Sequence, residues 1–173
     1  MGKNTQNQTI LTTREFSSGG IVYKKRQTLW LVRKTAKSDL YPNQYWMLPK
    51  GRVDDTDGDL PGPIASGKIK ADEGSLRKAA LREVTEETGV EAKIIEKIGT
   101  IKYVFTDPAR GRIMKFVTFY LMEYVKDLPE GFDGETSEIA WLPYDEALDR
   151  LSFRGEKETL KKAKRLLGGE GGI

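Results

Sequence analysis

Apolar and polar positions change rhythm several times along the chain. Gly20-Ile21-Val22-Tyr23, Leu29-Trp30-Leu31-Val32 and Trp46-Met47-Leu48 are short apolar runs with the β-branched and aromatic content of strands. Residues 52–72, RVDDTDGDLPGPIASGKIKAD, lose all periodicity and predict a long loop. Loops beyond about 12–15 residues inside a domain are commonly functional or mobile. From Ser75 to Thr88 the spacing becomes helical, with Gly89 as the C-terminal stop. Two longer strands follow at about 92–105 and 112–124, joined as a hairpin by the turn residues Asp107-Pro108-Ala109-Arg110-Gly111. A strand at 138–142 runs through Pro143 into a helix at about 144–151. A last helix, about 155–167, carries Leu160, Ala163, Leu166 and Leu167 on one side and stops at Gly168 and Gly169. Residues 1–15 read as a flexible arm. The remainder, 16–169, reads as one α/β domain with a mixed sheet covered by helices.

The helix at 75–88 carries an anomaly. At about 100° per residue, Leu76, Ala80 and Val84 form its buried stripe. Glu83 and Glu87 project on that same side and Glu86 borders it, while Lys78, Arg82 and Thr85 take the outward side. Like charges three and four residues apart repel, and Glu86 and Glu87 sit where the helix dipole is already negative. A solvated charged face would point away from the apolar stripe. Arg82 can pair with Glu86, which leaves two carboxylates at the core edge in need of partners. A hard divalent ion, Mg²⁺ or Mn²⁺, meets that need and leaves room for phosphate oxygens. One glutamate then remains to deprotonate an attacking water, a combination suited to a phosphoanhydride.

Composition narrows the chemistry. The 173 residues include neither cysteine nor histidine, which removes thiolate and imidazole sites, disulfides and histidine bases. The formal net charge is +3, with 38% apolar and 32% charged residues. The charges are interspersed, which disfavours a nucleic-acid-tracking surface. No apolar run reaches the roughly 18 residues of a membrane span, and the polar start MGKNTQNQT is unlike a signal peptide. These features predict a soluble, cytoplasmic protein. GPIASGKI, at 62–69, approaches a phosphate-binding P-loop but has Ile69 where the hydroxyl belongs.

The segment LREVTEETGV resembles the second half of the Nudix box, G-x5-E-x7-R-E-U-x-E-E-x-G-U, with U aliphatic. Arg82, Glu83, Val84, Glu86, Glu87, Gly89 and Val90 match position by position. The lead-in WMLPKG and the closing segment SEIAWLPYDEAL are also similar to the family's. The first half departs from the pattern. If Gly51 is the box glycine, 21 residues separate it from Glu73, and the family's first glutamate falls on Gly74. If Gly67 is, Glu73 stands at the right distance but one extra residue precedes Arg82.

The resemblance implies a Nudix-like α/β/α sandwich and a magnesium-dependent pyrophosphohydrolase acting on a nucleoside diphosphate linked to another group, X. LPKG is similar to the lead-in of members acting on dinucleoside polyphosphates and on diphosphoinositol polyphosphates. Nucleoside triphosphates are a further substrate class. Glu83 and Glu87 are implied metal ligands. Glu86 is implied as a ligand or as the base, with Arg82 as a structural ion-pair partner and Gly89 as the helix stop. Glu73 is a candidate for the box's first glutamate, and Glu138 for a distant acid. Lys50 and Gly51, then Tyr103, Arg112 and Lys115, are candidates for substrate contact. A homodimer is compatible with this reading. The rival is a Nudix-fold nucleotide- or RNA-binding module with little activity, favoured by Gly74 and the insertion.

Overall fold

A computed structural model describes residues 12–39, 41–54 and 60–169. Ten elements follow in order: β1 (Thr13–Lys24), β2 (Leu29–Thr35), β3 (Trp46–Met47), β4 (Lys50–Arg52), α1 (Glu73–Thr88), β5 (Val90–Asp107), β6 (Gly111–Asp127), β7 (Thr136–Leu142), α2 (Tyr144–Arg150) and α3 (Arg154–Gly169). The strands form one mixed sheet, as expected of the α/β class.

β1 is its axis. One edge of β1 runs parallel to β6 from Thr13↔Ile113 to Tyr23↔Glu123. The other edge meets β2 only at Tyr23↔Trp30 and Lys24↔Leu29. Further back the two strands part, and the segment bearing β3 and β4 fills the gap. β3 pairs with β2 at Arg33↔Met47, and β4 pairs with β1 from Ser17↔Arg52 to Gly19↔Lys50. β7 covers the far edge of β2, and the hairpin β5–β6 closes the other side.

Side chains alternate across β1. Val22 packs with Ala80, Val84 and Met122 under α1, while Ile21 packs with Leu48, Phe119, Leu151 and Leu160 under α2 and α3. Helices therefore cover both faces, and both cores are apolar. α1 starts at Asp72, whose carboxylate accepts from the Ser75 N–H at 2.7 Å. It ends at Gly89, whose φ of 67° is left-handed and whose N–H donates to the Thr85 carbonyl.

Three expectations shift. The strand expected at 20–23 begins at Thr13, so residues 13–15 of the predicted arm are strand, while residues 1–11 lie outside the described ones. α3 continues through Gly168 to Gly169 instead of stopping there. The loop at 52–72, of which 55–59 lie outside the described residues, is tied down at its second half. Asp54 accepts from the N–H groups of Ile64 and Ala65, the Phe16 N–H donates to the Ala65 carbonyl at 2.8 Å, and Ala65 is fully buried.

Candidate active site

The last turns of α1 lie against β4, and this packing depends on one missing side chain. A Cβ on Gly51 would sit 2.2 Å from the Glu83 carboxyl carbon. Only glycine lets the Glu83 carboxylate rest on the β4 backbone. The Arg82 guanidinium donates to Glu83 at 3.1 Å and to the Arg52 carbonyl at 2.7 Å, tying α1 to β4 a second time.

Glu87, 3% exposed, is deeper. It accepts the backbone N–H of Lys50 at 2.9 Å and faces the Arg33 guanidinium at 3.3 Å. Arg33 is itself aimed by β7: it donates to the Thr136 hydroxyl and to the Glu135 carbonyl, each at 2.9 Å. Thr136 in turn donates to the Glu87 carbonyl at 2.6 Å. Arg33 is the one charged side chain that β2 places in this network.

The two buried carboxylates are poorly compensated. Burial pushes Glu83 up to about 7, against the opposing pull of Arg82, and Glu86 and Glu135 add repulsion. Burial likewise pushes Glu87 up to about 8, with Arg33 opposing and Glu83 repelling. Their oxygens are the hard donors that a divalent cation takes, and such an ion would reverse both shifts. Glu86 stands at the rim, 45% exposed, with Arg82 Nε at 3.9 Å. Among the described residues no three acidic side chains already enclose a cation-sized space. The oxygens of Glu83 and Glu87, with Glu86 at the rim, are the donor type that would hold a hard divalent cation.

The other candidates divide. Lys50 lies in β4 with its ammonium on the Glu156 carboxylate at 2.9 Å, both side chains buried. Glu156 also accepts the Leu48 N–H. Burial depresses the Lys50 ammonium, but Glu156, together with Tyr103 and Tyr41, opposes it and the net shift is upward. The candidate phosphate contact is thus occupied by an internal partner. Tyr103 and Lys115 line a cavity of about 510 Å³ between β5, α3 and the segment before β3, along with Tyr41, Tyr45 and Phe153. Arg112 is exposed at the hairpin end, opposite Thr106. Glu73 turns to Tyr120 Oη at 2.8 Å and Lys97 at 3.0 Å and joins neither Glu83 nor Glu87. Glu138 is exposed on β7 opposite Lys34, and Glu135 is the acid of that region that reaches Glu83 electrostatically.

Sequence reasoning missed Arg33, Glu135, Glu156 and Glu15. Two carried a signal. Arg33 interrupts an apolar strand, and Glu156 occupies a position in line with Leu160 and Ala163 on the buried side of α3.

The end of α1 thus sets two buried carboxylates, Glu83 and Glu87, against Gly51 of β4 within an α/β sandwich. The NUDIX domain model matches residues 13–163, and the chain belongs to the Nudix family. It is 34% identical over 117 residues to a Mycobacterium tuberculosis protein provisionally named mutator protein MutT4, covering 68% of this chain and 46% of that one. This chain thus spans about half the length of that relative. It is 30% identical over 125 residues to the mouse asymmetrical bis(5'-nucleosyl)-tetraphosphatase, covering 71% and 72%. A C. elegans Ap4A hydrolase in a binary complex superposes with a TM-score of 0.63 at 20% identity, covering 90% of this chain and 98% of that one. The NUDIX domain of Shewanella oneidensis NrtR, in complex with ADP ribose, superposes at 0.60 with 17% identity and covers 94% of each. At these identities the structural likeness speaks for the fold alone.

Proposed function

We propose that the protein is a divalent-metal-dependent pyrophosphohydrolase that cleaves a phosphoanhydride in a nucleoside diphosphate–X substrate, with dinucleoside polyphosphates as the preferred class. The observation that carries this is the pair Glu83 and Glu87, buried side by side with raised pKa values against a strand that Gly51 leaves open. A fold has no use for two such groups, and a hard cation has. The mouse relative named for tetraphosphate hydrolysis, 30% identical over 125 residues, favours the substrate class.

Glu83 and Glu87 would hold Mg²⁺ or Mn²⁺ with Glu86 as a further ligand or as base, and the ion would supply charge neutralisation at the phosphate oxygens. Each side chain has its own task. Arg82 keeps Glu83 oriented by bonding it and the Arg52 carbonyl together. Arg33 and the Lys50 N–H fix the rotamer of Glu87. Glu86, at the rim, accepts the proton of the attacking water as the new P–O bond forms and the bridging P–O bond breaks. No helix among the described residues is long and apolar enough to cross a membrane.

The test is phosphate and nucleotide release with Mg²⁺ from a panel of diadenosine polyphosphates, nucleoside triphosphates, ADP-ribose, nucleotide sugars and a diphosphoinositol, beside Glu86→Gln. Turnover that the variant loses by about 10²–10⁴-fold supports the reading. Silence across the panel with nucleotide binding intact favours the binding-module alternative, for which Gly74 at the first box glutamate is the specific observation.

A further inference from the structure

The connection between β6 and β7 lies across the end of α1. The Leu128 N–H donates to the Gly89 carbonyl and the Asp133 N–H to the Glu86 carbonyl, each at 2.8 Å. These are carbonyls that a helix end leaves without intrahelical partners. The Glu87 carbonyl takes a side chain instead, the Thr136 hydroxyl at 2.6 Å. Thr136 reaches it through a slip in the β2–β7 ladder. Lys34 faces Glu138 but Thr35 faces Thr136, so Ser137 is an extra residue on β7, its hydroxyl bonded to the Lys34 and Thr35 carbonyls at 3.3 and 3.2 Å. An extra residue reverses the faces beyond it, and this one turns Thr136 to the face of β2 that bears Arg33.

The protons available decide who donates to whom. The Thr136 hydroxyl gives its one proton to the Glu87 carbonyl, so toward Arg33 it can only accept, and the Arg33 Nε–H donates to it at 2.9 Å. Arg33 Nε also has a single proton. It lies 3.3 Å from Glu87 Oε2, yet the proton goes to Thr136. A second anchor, Nη2 on the Glu135 carbonyl at 2.9 Å, keeps the guanidinium from turning. The other donor to the carboxylate, the Lys50 N–H, also meets Oε2. Among the described residues no donor meets Oε1. Arg33, Thr136 and Glu87 are each 5% exposed or less, which leaves little room for water to take a partner's place.

We infer that Thr136 is a positioning residue: its hydroxyl holds the Arg33 guanidinium off the Glu87 carboxylate and so leaves Oε1 to a divalent cation. An arginine released from that hold would close on the carboxylate in a direct charge-assisted pair and compete with the ion. The inference rests on the metal-dependent reading of the site and adds the device that sets its affinity.

The probe is Mn²⁺, titrated into the full chain without substrate, with the free ion read by electron paramagnetic resonance. Thr136→Val keeps the volume and removes the hydroxyl. It is expected to weaken the Mn²⁺ site about 10–100-fold, and Thr136→Ser to restore it. In an Arg33→Met background the same valine is expected to cost nothing further, because no guanidinium remains to be held back. A threonine that only caps the Glu87 carbonyl would cost as much in either background. That outcome, or unchanged affinity in Thr136→Val, overturns the inference. The wild-type chain gives an independent reading by NMR: the Arg33 Nε–H is expected to exchange slowly with solvent, with and without saturating Mg²⁺. Rapid exchange would remove the hydrogen bond on which the inference stands. A Mn²⁺ site that Glu87→Gln abolishes, with no substrate of the panel hydrolysed, sinks the hydrolase reading and leaves the role of Thr136 intact. Turnover of the panel with wild-type Mn²⁺ affinity in Thr136→Val sinks that role alone. A chain that takes up no Mn²⁺ ends both.

Discussion

Glu83 occupies the space that any side chain at position 51 would need: its carboxyl carbon is 2.2 Å from the Cβ that Gly51 lacks. Gly51→Ala must therefore push Glu83 away from β4. The expected result is a loss of at least about a hundredfold in kcat/KM with Mg²⁺, since misplacement of about 1 Å costs that much. The accompanying stability change, read by urea denaturation, is expected to be small, because the atoms displaced are the far end of one flexible side chain. Full activity in this variant would show that Glu83 has no fixed role.

Metal-free stability should depend on pH in an unusual sense. Glu83 and Glu87 carry folded-state values of about 7 and 8, above the ordinary 4.5. The folded chain thus retains protons that the unfolded chain releases, so the contribution is full below 4.5 and is lost as pH rises through 7 to 8. A fall on the order of 1–3 kcal/mol between pH 5 and 8 is expected in chelator. Mg²⁺ should restore stability at the alkaline end and release protons on binding. Calorimetry in buffers of different ionisation enthalpy measures that release, and none would count against these carboxylates as ligands.

Lys50 and Glu156 form a buried pair at 2.9 Å, so Lys50→Met leaves an uncompensated carboxylate. A loss of about 3–5 kcal/mol is expected, largely recovered in the double variant Lys50→Met/Glu156→Leu. A double-mutant cycle by chemical denaturation checks it. A neutral Lys50→Met with a raised KM would instead return Lys50 to the substrate.

The ordered half of the insertion depends on Asp54, whose two oxygens accept from the Ile64 and Ala65 N–H groups. Asp54→Ala is expected to cost about 1–2 kcal/mol and to speed amide hydrogen exchange across 62–67. Unchanged exchange would mean that burial of Ala65 alone holds the segment.

The helix and its acids were legible because their spacing is local. The stripe of Leu76, Ala80 and Val84 and the side taken by Glu83 and Glu87 follow from helical periodicity, and the stop at Gly89 from its lack of a side chain. The strands were legible where apolar, and illegible at Thr13–Gly19, where Ser18 is tolerated because its Oγ donates to the Leu76 carbonyl at 2.7 Å. That polar start hid Glu15. The partners of Glu87 were beyond reach too. Arg33 and the Lys50 N–H arrive from β2 and β4, and nothing in either strand's own pattern records which helix will lie above it.

The parallel ladder between β1 and β6 also sets an order of events. Thr13 finds Ile113, and Glu15 finds Lys115, only after about a hundred residues of intervening chain have closed on themselves. Loop-closure entropy makes such a pairing a late step. During synthesis, α1 and its carboxylates emerge well before β6, the strand that brings Lys115 to the cavity. A nascent chain would thus carry Glu83 and Glu87 while the pocket is still unbuilt.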